Sequence, residues 1–212
     1  LISERGSDKK DVSLKPIQLS AEYFDFKYSL NKTSVMKYTV KEEVINTLAL
    51  GAEKLNSKAV DLLLGMYVFI LSRISNSSEI NLSTAIGSKN VLLPISMEPC
   101  REIQGIKELK ALLDRLKEKK EQGGSLSADQ VLQVHAVKKE NEVLTLFSAG
   151  KSGLNTSLTR VYDIVLETRE TGTLMELVLE YNERLLSQEK MKMFLSGYVN
   201  LIQSLCRLLT DV

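Results

Sequence analysis

One segment constrains the fold more than any other: a helical stretch at residues 58–74 that is apolar on nearly every side. Its apolar side chains include Val60, Leu63, Leu64, Tyr67, Val68, Ile70 and Leu71. Such a helix must be surrounded by other elements, because a surface helix keeps one polar face. Its uncharged part, residues 62–72, is far shorter than the roughly 20 residues that cross a bilayer. The segment is therefore predicted to be a buried central helix, with Ser57 as its N-cap.

Three further segments have the spacing of amphipathic helices. One is predicted to start near Val40, because Thr39 and Glu42 have the T-x-x-E spacing of a capping box. The other two cover residues 103–121 and 188–209. In all three, apolar residues recur every three or four positions, which is typical of a helix that packs one face on a core.

Strands are predicted where apolar and polar residues alternate or where short apolar runs end at turn residues. The predicted strands cover residues 23–29, 35–40, 80–86, 91–97, 143–148, 162–168 and 175–181. Residues 170–172 form a hairpin-turn pattern, and Ser127 with Gln130 predicts a capped short helix that runs to about Val134. This order of elements favours an α/β (α+β) fold with a single open mixed sheet and flanking helices.

The composition narrows the functional classes. The chain has 28 Lys and Arg against 27 Asp and Glu, a net charge of +1, so it lacks the basic excess of a nucleic-acid-binding protein. Residues 1–15 are polar and predict a disordered lead or linker, followed by one domain at 16–212. The first residue is Leu1 rather than Met, and we expect a segment of a longer protein without a signal peptide. With only two cysteines, a cytoplasmic location is the simplest expectation.

Residues able to perform catalysis are few. His135 is the single histidine, so neither a Ser-His-Asp triad nor a histidine-based metal site is predicted. Cys206 falls in an apolar helical pattern, where a free thiol usually packs. Residues 148–153 (S-A-G-K-S-G) resemble part of a phosphate loop, but Thr145 stands where its first glycine should be.

Carboxylates give no stronger signal. Glu176 and Glu180 share one face of a predicted strand, and the solvent side of that strand explains them better than an acid–base pair. No catalytic, cofactor-binding or metal-binding residue is therefore predicted, and no cofactor is expected.

Two stretches, residues 58–90 and 159–209, carry a family likeness. The first contains an apolar helix that ends in L-x-R at residues 71–73, followed by a strand at 79–86. The second contains Tyr162-Asp163-Ile164 and then L-E-Y-N at residues 179–182 before a long amphipathic helix. Their order resembles the C-terminal lobe of a nonribosomal peptide synthetase condensation domain. The resemblance extends loosely over residues 15–209 and implies one lobe of a chloramphenicol-acetyltransferase-like fold.

The chain departs from that family where the family performs catalysis. A complete condensation domain has two lobes, and its H-H-x-x-x-D-G motif lies in the N-terminal one; that motif is missing here. The family's G-x-P strand end is replaced by Ser83-Thr84-Ala85. Residues 89–90 run almost directly into residues 92–94, so the segment that bridges two lobes looks deleted. No active-site residue of the family can be carried over to this chain.

The resemblance implies a truncated, non-catalytic condensation-like lobe in a nonribosomal peptide or hybrid polyketide–peptide synthase. Its partners would be neighbouring domains of that synthase, an adenylation or carrier domain, or another subunit. Self-association is also open, whereas nucleic acid and a membrane span are not expected. The rival hypothesis is half of an acyltransferase whose catalytic lobe lies elsewhere in the parent chain or on a partner. A third is an unrelated α/β interaction module.

One segment suggests where a partner could bind. Residues 23–28 hold four aromatic side chains, and strand alternation puts Phe24, Phe26 and Tyr28 on one face. The segment either covers an exposed flank and contacts a second copy or a neighbouring domain, or fills the core of its own lobe.

Overall fold

The computed structural model describes residues 14–27, 33–86, 92–150, 160–171 and 173–210. The helices are α1 (Glu42–Lys54), α2 (Ala59–Ile74), α3 (Ile106–Gln122), α4 (Ala128–Val137) and α5 (Gln188–Thr210). The strands are β1 (Ile17–Gln18), β2 (Thr33–Val40), β3 (Ile80–Ile86), β4 (Leu93–Met97), β5 (Glu142–Val143), β6 (Thr145–Ala149), β7 (Ile164–Thr171) and β8 (Leu174–Asn182). A single turn of 3-10 helix lies at Ala21–Tyr23.

Six strands form the main sheet in the order β2-β8-β7-β6-β3-β4. The pairs β3–β6 and β6–β7 are parallel, and the other neighbours are antiparallel. Strands β1 and β5 form a small antiparallel pair beside it. The predicted fold class, an open mixed sheet with flanking helices, is confirmed.

Helices cover the sheet unequally. The larger core lies on one face and unites side chains of α1, α2, α3 and α5 with those of the sheet. Helix α2 is its centre, since most of its side chains are buried, as the sequence predicts. On the other face, α4 contributes Val131 to a smaller core that includes Leu146 and Val165. Among the described residues, four helices lie on one face of the sheet and one on the other, and the two cores differ in size accordingly.

No single helix of the described chain has the length and apolar composition to span a bilayer. Helices α1 and α2 pass that test only when they are taken together, and they meet at an angle of 98°.

Strand β3 carries three buried polar side chains. The alternation of polar and apolar residues predicts one wet face, yet Asn81, Ser83 and Thr84 are all buried because β3 lies inside a sheet covered on both sides. Their polar groups are used: the Tyr162 hydroxyl donates to Ser83 Oγ at 2.8 Å, and Thr145 Oγ1 donates to the Asn81 carbonyl at 3.4 Å. Buried polar groups persist because they are hydrogen-bonded.

Three local predictions about strands and caps are wrong. The sequence predicts a strand at residues 23–29, but its described part, 23–27, forms the end of a 3-10 turn and then a single β-bridge between Phe24 and Leu186. Thr39 does not cap α1, because it lies within β2 and Lys41 is the N-cap, without a side-chain hydrogen bond. Similarly, α2 has Lys58 rather than Ser57 at its N-cap.

The capping box before α4 is formed as predicted. Ser127 Oγ accepts from the Gln130 amide at 3.2 Å, and Gln130 Oε1 accepts from the Ser127 amide at 2.8 Å.

Several predictions concern residues outside the described ranges: most of the lead (1–13), the shortened bridge (89–90), most of the phosphate-loop-like fragment (151–153) and Gly172 of the hairpin turn. At the border of the lead, Leu14 is buried, and Lys15 Nζ lies 3.8 Å from Glu79 Oε2.

Candidate functional site

The most deeply buried charged group is the carboxylate of Asp163, which directly precedes β7. Its Oδ2 accepts from the Leu144 amide at 2.9 Å and lies 3.0 Å from Nζ of Lys138. Its Oδ1 accepts from the Asn182 side-chain amide at 3.0 Å. These partners come from the chain after α4, the break between β5 and β6, and the end of β8. Asp163 therefore joins three parts of the chain, and its oxygens are occupied.

The hydrogen bonds of Asp163 include residues from two of the motifs that carry the family likeness. Asp163 belongs to Tyr162-Asp163-Ile164 and Asn182 ends the L-E-Y-N segment, so the two motifs meet through a side-chain hydrogen bond. The third motif ends at Arg73 in the last turn of α2, where a cation interacts favourably with the helix dipole.

The histidine and the two cysteines lie on separate elements. His135 is on α4, Cys100 lies between β4 and α3, and Cys206 is on α5. Burial raises the pKa of both thiols, so neither has the lowered pKa of an activated cysteine. Burial also raises the pKa of Tyr162 to about 12, and its hydrogen bond to Ser83 opposes that shift. Within the described ranges, no three His, Cys, Asp or Glu side chains converge as metal ligands.

A cleft of about 550 Å³ opens at the carboxyl ends of the parallel strands β3, β6 and β7. In open α/β sheets this is where ligands commonly bind. Its wall is mostly apolar, and its carboxylates are Glu42 and Glu170; the apolar lining includes Ile45, Leu48, Val60, Leu63, Ile86, Ala149 and Met175. Such a lining can hold an apolar ligand, but it includes no histidine or cysteine.

The second candidate is the sheet edge formed by residues 24–27 and β2, called the free edge below. Both parts run antiparallel to the chain at 174–186: Phe24 bridges Leu186, and Thr33 and Val40 pair with Asn182 and Met175. Within the described chain, no strand pairs with the outer side of β2. Three large apolar side chains are exposed along this edge: Phe26 (63%), Val35 (54%) and Tyr38 (39%).

Beside the free edge, a groove of about 540 Å³ separates β2 from α5. Its apolar residues are Met36, Tyr38, Leu195 and Val199, and its cations are Lys37 and Lys192. Ser196, Asn200 and Gln203 complete the lining, which contains no carboxylate among the described residues. Lys37 is partly neutralised by Glu176, whose Oε2 lies 3.2 Å from its Nζ. Lys37 alternates with Met36 and Tyr38, so its side chain lies on the opposite face of β2, and only Lys192 adds charge to the described apolar lining.

The aromatic side chains of the free edge differ in burial: some pack against the core, as one predicted role requires, and one is exposed, as the other requires. The rings of Phe24 and Phe26 stack with centroids 6.0 Å apart, but Phe24 packs against the core whereas Phe26 is mostly exposed. Tyr23 also packs against the core and lies under Lys190 Nζ at 5.9 Å. Tyr28 lies outside the described residues.

No family model matches this sequence, and a search of curated proteins finds no match either. Solved structures do match. The EpoB cyclization–docking bidomain from Sorangium cellulosum aligns over 92% of this chain with a TM-score of 0.67 and 10% identity. The condensation domain of the monacolin K polyketide synthase MokA aligns over 92% with a TM-score of 0.60 and 16% identity. The epimerization domain from the third module of tyrocidine synthetase B aligns over 91%, with a TM-score of 0.65 and 12% identity.

The chain has the fold of a condensation-type lobe. It spans about half the length of these structures, namely 46%, 53% and 52% of their chains. The resemblance that the sequence motifs indicate is therefore confirmed at the level of the fold. The condensation-like lobe keeps its motifs as packing and hydrogen-bonding elements.

Removal of the buried carboxylate is expected to destabilise the lobe strongly. Asp163→Ala leaves the Lys138 ammonium, whose side chain is only 11% exposed, without its counter-ion. We expect the free energy of unfolding to fall by about 3–5 kcal/mol in urea denaturation. The control Asp114→Ala, at an exposed position of α3, should change it by less than about 0.5 kcal/mol. Equal effects of the two variants would contradict the structural role of Asp163.

The two stacked phenylalanines should differ in their effect on stability. Phe24→Ser should lower the melting temperature, because it removes a ring packed on the core, whereas Phe26→Ser should leave it nearly unchanged. Thermal unfolding followed by circular dichroism measures both. A large loss of stability in Phe26→Ser would assign that ring to the core instead.

Proposed function

We propose that the chain is a non-catalytic condensation-like lobe that docks a neighbouring domain or subunit in a nonribosomal peptide or hybrid polyketide–peptide synthase. The observation that carries the proposal is the free edge: β2 has no strand on its outer side among the described residues, and three apolar side chains are exposed along this edge of a fold shared with synthase domains. An adenylation or carrier domain of the parent protein is the partner we expect.

The non-catalytic part of the proposal rests on the chemistry of the chain. The H-H-x-x-x-D-G motif is missing from the sequence, and His135 lies on α4, on the opposite side of the sheet from α2 and α5. Both cysteines are held in the thiol form by burial. These observations support a lobe that binds a partner rather than one that performs catalysis.

The docking part rests on the exposed apolar surface. Exposed apolar residues scattered singly need no explanation, but a strand edge with free backbone groups and exposed apolar side chains is typical of an interaction site. Val35 and Tyr38 lie on opposite faces of β2, and Phe26 lies in the segment at 24–27, so exposed apolar side chains occur on both faces of the free edge. Aromatic side chains carry much of the binding energy in protein interfaces, which favours Phe26 and Tyr38 as contacts.

The cleft favours the second candidate, half of an acyltransferase completed by a lobe elsewhere. In that case, Ala59→Phe, which fills the cleft, should lower product formation by the parent enzyme while the fold stays intact. The control is Ala111→Phe on the exposed face of α3. Unchanged product formation in both variants would exclude this candidate.

The histidine should be dispensable for chemistry. We expect His135→Ala in the full-length parent protein to form product at the rate of the unchanged protein, because neither cysteine shares its element or its side of the sheet. Product formation is measured by mass spectrometry, with circular dichroism as the check on folding. A correctly folded variant without activity would refute the non-catalytic role.

The free edge should be required for docking. The double variant Phe26→Ser/Val35→Ser should weaken binding to the separately purified remainder of the parent protein by about tenfold or more, measured by calorimetry. The matched control Leu132→Ser/Val137→Ser changes two exposed apolar residues of α4, on the other side of the lobe. If both double variants bind as the unchanged chain does, docking does not use the free edge.

A further inference from the structure

We infer that the pocket at the end of α2 binds the phosphate monoester group of a ligand, which Arg73 and Arg101 hold. The pocket has a volume of about 500 Å³ and lies between the last turn of α2, the chain that follows it, and the chain between β4 and α3. Among its described lining residues only Pro99 is apolar. The pocket is beside β3 and β4, at the opposite end of the sheet from β2, so the inference does not rest on the free edge or on the proposed docking function.

Two guanidinium groups meet in this pocket without a carboxylate partner. Arg73 Nη1 donates to the Arg101 carbonyl at 3.4 Å, which holds the Arg73 guanidinium against the backbone of Arg101. Within the described chain, neither arginine forms an ion pair. The carboxylate of the lining, Glu102, instead accepts at Oε2 from the Gln104 side-chain amide at 2.8 Å. The lining therefore carries two positive charges and one negative charge, and a bound anion would balance the excess.

The end of α2 does not account for the two arginines. Arginine side chains near a helix C-terminus can donate to its last carbonyl groups. Here the Leu71 carbonyl accepts from the Ser75 amide at 3.0 Å. The Ile74 carbonyl accepts from the Ser20 amide at 3.3 Å. Because the main chain already satisfies these carbonyls, the guanidinium groups keep most of their donors for a ligand.

The walls of the pocket are fixed before any ligand binds. The Gln18 carbonyl accepts from the Ser75 hydroxyl at 3.0 Å, and the Gln18 amide donates to Ser77 Oγ at 2.7 Å. On the opposite wall, the Cys100 amide donates to Ser72 Oγ at 3.0 Å. Since these hydrogen bonds hold the backbone on both sides, little chain freedom is lost when a ligand enters, which favours binding.

The number of donors favours a phosphate group over a carboxylate. Each guanidinium presents a planar fork of N–H donors that matches phosphate or carboxylate oxygens in pairs. Two forks can satisfy more than the two oxygens of one carboxylate, whereas a phosphate monoester has three terminal oxygens and a charge of about −2 near pH 7. Ser77 Oγ accepts from Gln18, so its hydroxyl hydrogen can still be donated to a ligand. A small phosphate ester and a phosphorylated side chain of a protein share this chemistry.

The test is a titration of the ¹⁵N-labelled chain, followed by its amide chemical shifts at constant ionic strength. The first probe is glycerol 3-phosphate, and its comparison compound is glycerate, which carries a carboxylate instead. The second probe is a capped Gly-Gly-phosphoserine-Gly-Gly peptide, compared with the same peptide without the phosphate. The variants are Arg73→Gln and Arg101→Gln, and the matched control is Arg207→Gln, an exposed arginine near the end of α5.

We expect glycerol 3-phosphate to bind with a dissociation constant on the order of 1 mM, about tenfold more tightly than glycerate. The shifts should concentrate in residues 75–77 and 100–102. Arg73→Gln and Arg101→Gln should each weaken binding by about tenfold, or about 1.4 kcal/mol. Arg207→Gln should leave binding unchanged. Unchanged resonances in the rest of the chain show that each variant is folded.

Equal binding of glycerol 3-phosphate and glycerate would overturn the inference, and so would shifts outside the pocket or an equal loss of affinity in Arg207→Gln. Failure of both phosphate probes to bind, or equal binding of the two peptides, would also overturn it. Tighter binding of the phosphopeptide than of glycerol 3-phosphate would support the site and assign it to a phosphorylated partner protein. The reverse order would support the site and assign it to a small phosphate ester.

Discussion

The burial of α2 between the sheet and the other helices is the constraint on which the rest of the structure depends. Tyr67, at its centre, contacts the rings of Phe147, Phe194 and Tyr198, which belong to β6 and α5. The Tyr198 hydroxyl donates to the Leu63 carbonyl at 2.8 Å, so α5 is also fixed to α2 by a buried hydrogen bond. Each fully buried large apolar side chain contributes about 1.5–3 kcal/mol, and α2 supplies several. The sheet, α2 and α5 therefore form one unit.

Elements with strong periodicity could be predicted from the sequence for the same reason. The apolar surface of α2 and the regular stripe of α5 each require a particular burial, so α5 and β8 lie within a residue or two of their predicted bounds. Local signals that no core enforces were less reliable. Thr39 and Glu42 have capping-box spacing, yet the pairing of β2 with β8 holds Thr39 in a strand. Tertiary pairing outweighs a cap worth about 1 kcal/mol.

The free edge and the Asp163 network lay beyond sequence reasoning. Alternation along β2 shows which residues share a face, but it does not show that β2 ends the sheet, because strand order depends on long-range pairing. Asp163, Lys138 and Asn182 are far apart in sequence, so no local pattern indicated that they meet. The motifs that contain Asp163 and Asn182 were nevertheless the basis of the family resemblance.

The free edge has residues that oppose aggregation, and it also has exposed apolar side chains that favour binding of a partner. An unpaired strand invites aggregation, and natural proteins oppose this with lysines and polar residues, as Lys37, Thr33 and Thr39 do here. An edge strand that only avoided association would also have polar residues in place of Val35 and Tyr38, since exposed apolar groups on both faces of an edge strand promote association. Both remain exposed, on opposite faces of the strand. An edge that discourages its own copy while it keeps apolar contacts has the properties of a selective binding surface.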